Sequence, residues 1–263
     1  MVFVDAERNS EGVYSTVEER YRALLARSVL LQGCLDGTLA AKVKVCDASS
    51  RRDTDPVNTS FIKVGEASFS IDPLSSQGVQ AAMLSGIQGA IVAHTILTRP
   101  EYASTAMEFY KRRQIETVER HCALSAQQYA TQRTFADRAF WQRRASLATS
   151  EVRPQTWPPP ADLAFNDWVK LSDEASLVDT PCITGDIVSS LRALAHPALG
   201  HEVAYLGTVE VAPLLDKIGE GSAVEDILQQ WSRQISPQLA EDIIRWLWAR
   251  GILVSAARSK GGK

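Results

Sequence analysis

What this 263-residue sequence lacks excludes several kinds of chemistry. Its four cysteines, Cys34, Cys46, Cys122 and Cys182, form no CxxC pair, so neither a zinc ribbon nor a disulfide framework is indicated and no metal site is expected. A reducing, cytoplasmic compartment is the simplest expectation. Of the four histidines, His196 and His201 share a loop with Pro197 and Gly200 and have no third ligand nearby in sequence, while His94 and His121 lie on helical stretches. Ser75-Ser76 is not framed by a G-x-S-x-G elbow, there is no P-loop, and no G-x-G-x-x-G occurs anywhere. A net charge of -3 gives no electrostatic case for nucleic acid or an anionic membrane, and Arg233, Arg245 and Arg250 are too scattered for a recognition helix. The N-terminus lacks the basic start and long apolar run of a secretory signal. The apolar stretch at 89–97 contains His94 and falls short of the roughly 20 residues that cross a bilayer, so no transmembrane segment is expected.

What the chain does contain is a junction at residues 61–93, FIKVGEASFSIDPLSSQGVQAAMLSGIQGAIVA. A short apolar run at 61–64 stops at Gly65-Glu66, an irregular segment passes through Asp72-Pro73, and from Gly78 the pattern is helical: strand, loop, helix. Such a junction gathers backbone N–H groups at a helix N-terminus, where the macrodipole favours electron-rich ligand atoms. Along the helix Ala82, Gly86, Ala90 and Ala93 form a stripe for close approach, and Met83, Ile87 and Ile91 an adjoining stripe suited to a core.

Before the junction, residues 1–5 read as an edge strand and 7–12 as a polar turn. Thr16-Val17-Glu18-Glu19 is a capping box ahead of an amphipathic helix with Tyr21, Leu24, Leu25, Val29 and Leu31 as core residues. Alternation at 42–46 predicts a half-buried strand, and residues 47–59 a solvated connection. After the junction, residues 102–145 read as continuous helix with Met107, Tyr110, Ile115, Val118, Leu124, Tyr129 and Phe135 buried. Tyr110, Arg112, Arg113, Arg138, Phe140, Trp141, Arg143 and Arg144 stand out there, and helix amphipathicity with a solvated basic face is their first interpretation. Pro154, Pro158, Pro159 and Pro160 predict an extended linker at 151–161 between a domain at 1–150 and another at 162–263.

In the second domain a helix is expected from Thr184 or Gly185 through Leu194, a strand pair near 205–209 and a helix near 212–218. A capping box at Ser222-Ala223-Val224-Glu225 opens a helix with Ile227, Leu228 and Trp231 inward. Ser236-Pro237 caps the next helix, which carries Ile243, Ile244 and Leu247; Gly251 ends it, and a strand at 252–254 closes the unit.

The stretch VGEASFSIDPLSSQGVQAAMLSG resembles the second FAD-contacting motif of flavin-dependent halogenases and related single-component flavin monooxygenases. In that family a strand ends in Gly-Asp or Gly-Glu, an Asp-Pro-Leu follows, and a Ser/Gly turn opens a helix beside the isoalloxazine ring. The resemblance implies a helix-rich α+β fold, part of a glutathione-reductase-like FAD-binding domain, with FAD as cofactor. Gly65 would end the strand and Glu66 would hold a ribityl hydroxyl. Asp72 and Pro73 would shape the loop beside the flavin, and the amides of Gln77, Gly78 and Val79 would face the pyrimidine end of the ring. No catalytic residue is implied. The run YATQRTFADRAFWQRR resembles the family's late helical segment near the substrate-side helices, and GEGSAVEDIL with WLWARGILV resembles the winged-helix module that binds leader peptides in peptide modification, including the peptide chaperone of pyrroloquinoline quinone biosynthesis. Such modules take a peptide as an added strand.

A complete FAD protein of this class carries the strand–GxGxxG–helix that binds pyrophosphate, so the chain resembles the C-terminal portion of a longer flavoprotein: a truncated frame, a split subunit or a degenerate relative. The expected function is a monooxygenase-type FAD-dependent oxidoreductase fragment, of the tryptophylquinone-biogenesis kind, hydroxylating an aromatic residue of a peptide or protein. Its implied partners are that substrate, a complementary N-terminal chain, and a flavin reductase or NAD(P)H. Two alternatives stand beside it: a halogenase fragment, for which the essential lysine and WxWxIP signature are not recognisable here, and a non-catalytic peptide-binding interaction protein.

Overall fold

The computed structural model describes residue 4 and residues 14–147, 162–219 and 221–257. The expected edge strand at 1–5, apart from Val4, the turn at 7–12 and the proline-rich linker at 151–161 lie outside the described residues.

Thr16 caps helix α1 (Val17–Ala26) as expected: its hydroxyl accepts the Glu19 N–H at 3.1 Å, and the Glu19 carboxylate accepts the Thr16 N–H at 3.3 Å. The helix buries none of its residues, however, and Val29 and Leu31 are exposed, so Tyr21, Leu24, Leu25, Val29 and Leu31 do not form a core. The main neighbour of α1 is the 3₁₀ turn Val29–Cys34 that follows it, and an amphipathic face needs a larger surface to bury itself. The strand expected at 42–46 is also missing; the backbone there is irregular and Val45 is exposed, because alternation makes a strand only where a partner strand is offered. Instead β1 (Arg51–Arg52) pairs antiparallel with β2 (Phe69–Ser70). Nor are residues 47–59 wholly solvated, since Val57 is fully buried and bridges Ile62. That single bridge is all that forms of the strand expected at 61–64.

Helix α2 (Gly78–Thr98) starts where the sequence predicts, but a different face is turned inward. It buries Ala81, Ser85, Gly89, Val92 and Thr95, a face rotated by about 100° from the stripe of Ala82, Gly86, Ala90 and Ala93. Met83 and Ile87, expected in the core, are exposed. Gly89 sets this rotation: a Cβ there would lie 2.8 Å from Cγ1 of Val64, so only glycine lets the incoming segment lie against the helix. The apolar stretch around residues 89–97 is part of a longer helix than the sequence reading gave it. Among the described residues α2 is the one helix long and apolar enough to cross a bilayer by length and composition, although one of its faces packs on α3 (Ala103–Ala130).

The continuous helix expected over 102–145 breaks after α3 and resumes as α4 (Ala139–Ala145). Between them the Gln132 side chain accepts the Thr134 N–H at 2.6 Å, the kind of local side-chain bond that competes with helix. Tyr110 is fully buried as predicted, whereas Leu124 and Phe135 are exposed.

The region from residue 162 builds on a three-stranded antiparallel sheet in the order β8 (Ser222–Ala223), β3 (Trp168–Leu171), β9 (Leu253–Ser255). The helix expected from 184 or 185 to 194 is instead a hairpin, β4 (Ser176–Thr184) with β5 (Ile187–Ala195). Gly185, at φ +64°, supplies the left-handed residue of a two-residue loop, so the local turn chemistry outweighs the helical-looking Leu-Arg-Ala-Leu run. A second strand pair, β6 (Tyr205–Leu206) with β7 (Val209–Glu210), and the short α5 (Ala212–Leu215) follow as expected. The capping box at 222–225 does not form: Ser222 lies in β8, its hydroxyl accepts the Gly219 N–H at 3.3 Å, and Ala223 is the N-cap of α6 (Val224–Trp231). Ser236 does cap α7 (Pro237–Ala249), accepting the Leu239 N–H at 3.3 Å, and Gly251 follows the helix at φ +68°. Trp231, Leu214, Leu215, Ile227, Ile244, Leu247 and Leu253 join one core here, with the Trp231 indole N–H donated to the Leu214 carbonyl at 3.1 Å.

The β4–β5 hairpin leans on the first region. Val188 of β5 is buried with Val57, Val92, Ala106, Phe109 and Tyr110, and donates its N–H to the Thr95 hydroxyl at 2.8 Å. From α3, the Arg112 guanidinium donates to Thr180 of β4 at 3.1 Å and to the Glu202 carboxylate.

Candidate functional site

The site forms where the segment entering from residue 62 meets α2 and α3. Gly65 sits at φ +56° and is buried; a Cβ there would come within 3.2 Å of the Ala82 Cβ. Its N–H is donated to Ser85 Oγ at 3.2 Å, and Ser85 Oγ lies 3.0 Å from the Tyr110 hydroxyl. Tyr110 donates its one proton to the Lys63 carbonyl at 2.8 Å, so Ser85 must be the donor between the two hydroxyls. The result is a closed chain from Gly65 N–H through Ser85 and Tyr110 to the Lys63 carbonyl. Burial raises the Tyr110 hydroxyl above its ordinary pKa, keeping it a neutral donor. Beside this chain Ser68 donates to Gln114 Oε1 at 3.2 Å, both side chains buried.

Past Gly65 the backbone makes a 3₁₀ turn, Gly65–Ala67, which leaves Glu66 on the surface, and then β2. Asp72 opens a second 3₁₀ turn, Pro73–Ser75: Oδ1 accepts the Leu74 N–H at 2.9 Å and Oδ2 accepts the Tyr129 hydroxyl at 3.0 Å. The Asp72 carboxylate is thereby committed to holding the loop against α3. Burial, followed by the bond to Asp72, raises the Tyr129 pKa. Ser76, at φ 53°, turns the chain into α2, whose N-cap Gln77 gives no side-chain capping bond. Gln77, Gly78 and Val79 are exposed, so α2 opens at the surface, and the Gln77 N–H is donated to Ser75 Oγ at 3.4 Å.

The structure puts Pro73, Gln77, Gly78 and Val79 at the exposed start of α2 with half-buried Asp72 behind them, buries Gly65 against Ala82, and leaves Glu66 on the exposed turn before them. The sequence reading did not identify Ser85 or the closeness that Gly89 permits; serine and glycine spaced four apart on one helix face were the available signal. Nor did it assemble the aromatic wall. Phe140 and Trp141 of α4 pack on Tyr129, with ring centroids 6.4 and 5.8 Å from it, and the Arg144 guanidinium lies 3.8 Å over the Phe140 ring. Together with Asp72, Pro73, Leu74 and Ser76 they line an open pocket of about 600 Å³. The basic residues of this stretch therefore do not all form a solvated face. Among the described residues no His, Cys, Asp or Glu cluster suited to a metal exists.

These residues fit the ring end of FAD. Gly65 turns the loop at positive φ, the Asp72 carboxylate is spent internally, and α2 opens with exposed Gly78 and Val79, a helix start that an electron-rich ring edge can approach. They do not supply a pyrophosphate site, because the sequence has no glycine-rich strand-to-helix turn.

No family model matches the chain. Over 126 residues, 47% of this chain and 32% of the other, it is 27% identical to a putative FAD-dependent oxidoreductase, LodB, of Marinomonas mediterranea. Its fold is similar to that of QhpG, a peptidyl tryptophan dihydroxylase essential for tryptophylquinone cofactor biogenesis, with a TM-score of 0.67, 23% identity, and coverage of 92% of this chain and 53% of that one. It is similar also to CmlS, a flavin-dependent halogenase, with a TM-score of 0.58, 19% identity, and coverage of 93% and 53%. The chain spans about half the length of these solved structures and a third of the curated relative. It therefore shares the fold of part of these oxidoreductases and is distantly related in sequence to an FAD-dependent one.

Proposed function

We propose that this chain is the ring-side part of a monooxygenase-type FAD-dependent oxidoreductase that hydroxylates an aromatic side chain of a peptide or protein. The observation that carries the proposal is the loop running from Gly65 to the α2 N-terminus, fixed by the Ser85–Tyr110 chain and bordered by the aromatic pocket. FAD, when bound and reduced, supplies the oxygen chemistry. The chain's own contribution is positioning. Gly65 and Asp72 hold the loop's shape, the amides of Gly78 and Val79 at the start of α2 stabilise negative charge at the ring edge, and exposed Glu66 takes a ribityl hydroxyl. Tyr129, Phe140 and Trp141 give a flat aromatic group a wall to lie against and exclude water from one side of it. A flavin reductase or NAD(P)H delivers the electrons.

The peptide would be held by residues 162–263. What supports this is the three-stranded sheet beside α6 and α7: β8 and β9 are its outer strands, where an extended segment can add. Halogenation is favoured only by the similarity to CmlS, which is the weaker of the two structural likenesses.

The test is the visible absorption spectrum of the purified chain, incubated with FAD alone and then with a GxGxxG-bearing companion, each desalted before measurement. Flavin retained in either case, and lost in Gly65→Val, is the expected result. No retention in both cases would leave a peptide-binding, non-catalytic protein as the better reading.

A further inference from the structure

The chain is acidic overall, at a net charge of -3, yet the stretch that borders the aromatic pocket is basic. Residues 131–147 hold Arg133, Arg138, Arg143 and Arg144 against one acid, Asp137, and contain no lysine. The chain leaves the pocket at Tyr129 and returns to it at Phe140 and Trp141, so Arg133 and Arg138 lie on the excursion between. Both are exposed, whereas the Arg144 guanidinium lies 3.8 Å over the Phe140 ring and 5.9 Å from the centre of the Tyr129 ring.

The helix itself accounts for part of this charge. Arg143 and Arg144 sit in the last turn of α4, where the macrodipole favours a cation. Arg138 does not fit that account. It is the N-cap of α4, the end at which a cation is disfavoured, and it makes no side-chain capping bond. Its ion pair with Asp137 is long, at 3.9 Å, and both side chains are exposed, so the pair contributes little. Across the pocket the Asp72 carboxylate is committed to the Leu74 N–H and the Tyr129 hydroxyl.

We infer that this rim selects a peptide whose aromatic residue enters the pocket with an acidic residue on each side of it. A guanidinium takes a carboxylate through paired hydrogen bonds, which suits a rim built of arginine alone. Arg144 also donates to the Phe140 carbonyl at 3.2 Å, and the five N–H donors of a guanidinium serve more than one acceptor. Arg138 and Arg144 bracket Phe140 and Trp141 and stand about 9 Å apart along α4. An extended peptide covers that distance in about three residues, which sets one carboxylate to either side of a central ring. The inference rests on the aromatic-peptide reading of the pocket and adds the charge of what flanks the ring.

The test is fluorescence anisotropy with short rhodamine-labelled peptides, titrated with the 263-residue chain at low salt. Three share a central phenylalanine and differ in its two neighbours: glutamate, glutamine or lysine. A fourth keeps the glutamates and replaces the ring by alanine. The glutamate–phenylalanine peptide should bind at least about tenfold tighter than the lysine one, and the ratio should fall toward one as salt rises to about 0.5 M. Arg133→Glu combined with Arg138→Glu should reverse the order and, both side chains being exposed, leave the urea midpoint unchanged.

Equal binding of the glutamate and lysine peptides, binding of none of them at about 1 mM, or an order that survives the double reversal overturns the inference. So does equal binding of the alanine-centred peptide, which would make the rim a charged surface separate from the pocket. Tighter binding of oligothymidylate than of the glutamate–phenylalanine peptide overturns it in favour of a nucleic acid. The two proposals fail separately: flavin retention without acidic preference removes only the rim's selectivity, and acidic preference without flavin retention removes only the cofactor reading.

Discussion

The two regions of this chain use their apolar residues in opposite ways. From residue 162 onward, aliphatic side chains and Trp231 converge on one core, and the three-stranded sheet and α5 to α7 close around it. Before residue 148, the buried clusters are small, while Val29, Leu30, Val79, Met83, Ile87 and Leu97 face outward. One region closes around its own apolar residues, and the other leaves several of its apolar residues in water. The first region is accordingly held by specific polar bonds and close glycine contacts more than by apolar volume.

That contrast can be broken or sharpened by measurement. The largest effect belongs to the self-contained core: Trp231→Ala removes a fully buried indole and its bond to Leu214, and should cost about 3–5 kcal/mol in urea unfolding. A loss below about 1 kcal/mol would mean that the core is not the anchor described. In the first region, Tyr110→Phe removes only a hydroxyl, yet leaves the Lys63 carbonyl and Ser85 short of partners. A cost of about 2 kcal/mol is expected, together with weaker flavin retention. Gly89→Ala should cost about 1 kcal/mol, as Val64 and α2 are pushed apart; no change would show that the contact has slack.

Acid should act through His121, which is buried in α3 with no partner at Nδ1. Burial, then the charge of Arg120, lowers its pKa below the ordinary 6.5. As pH falls below that value the unfolded chain takes up a proton that the folded chain resists, so stability present at neutral pH is lost on acidification. For one proton the slope stays below about 1.4 kcal/mol per pH unit, and His121→Gln should flatten it in thermal melts between pH 7 and 5. His196, also depressed by burial, contributes in the same direction. The smallest effect should be Ile87→Asp, which in the chain alone changes stability by no more than about 0.5 kcal/mol because the side chain is already in water.

The same contrast explains what could be read from sequence. In the second region, Ser236-Pro237 with Gly251, and the strand pair at 205–210, are local signals whose outcome is fixed within a few residues. Its one large misreading, helix for β5, came from weighing Leu191, Ala193 and Leu194 above the Gly185-Asp186 turn. In the first region the helix starts were legible, but which face of α2 turns inward was not. Met83 and Ile87 are as apolar as any core residue, and only the approach of Val64 to Gly89, set by residues far apart in sequence, decides the matter. The loop from Gly65 to Val79 was legible through its own turn residues, Gly65, Asp72-Pro73 and Ser76, although Ser85, Tyr110 and Tyr129 anchor it; its aromatic border was not, because Phe140 and Trp141 reach Tyr129 only after the chain breaks at 131–138.

The bond from Val188 to the Thr95 hydroxyl makes one amide a witness to both regions. Its acceptor is not on the neighbouring strand but on a helix of the other region. Deuterium should therefore reach the Val188 nitrogen when either the hairpin frays or α2 lifts away, whichever event is commoner. A single peak followed in exchange would report the weaker of the two, and its slowing on flavin or partner addition would register closure of the whole chain without any label being attached.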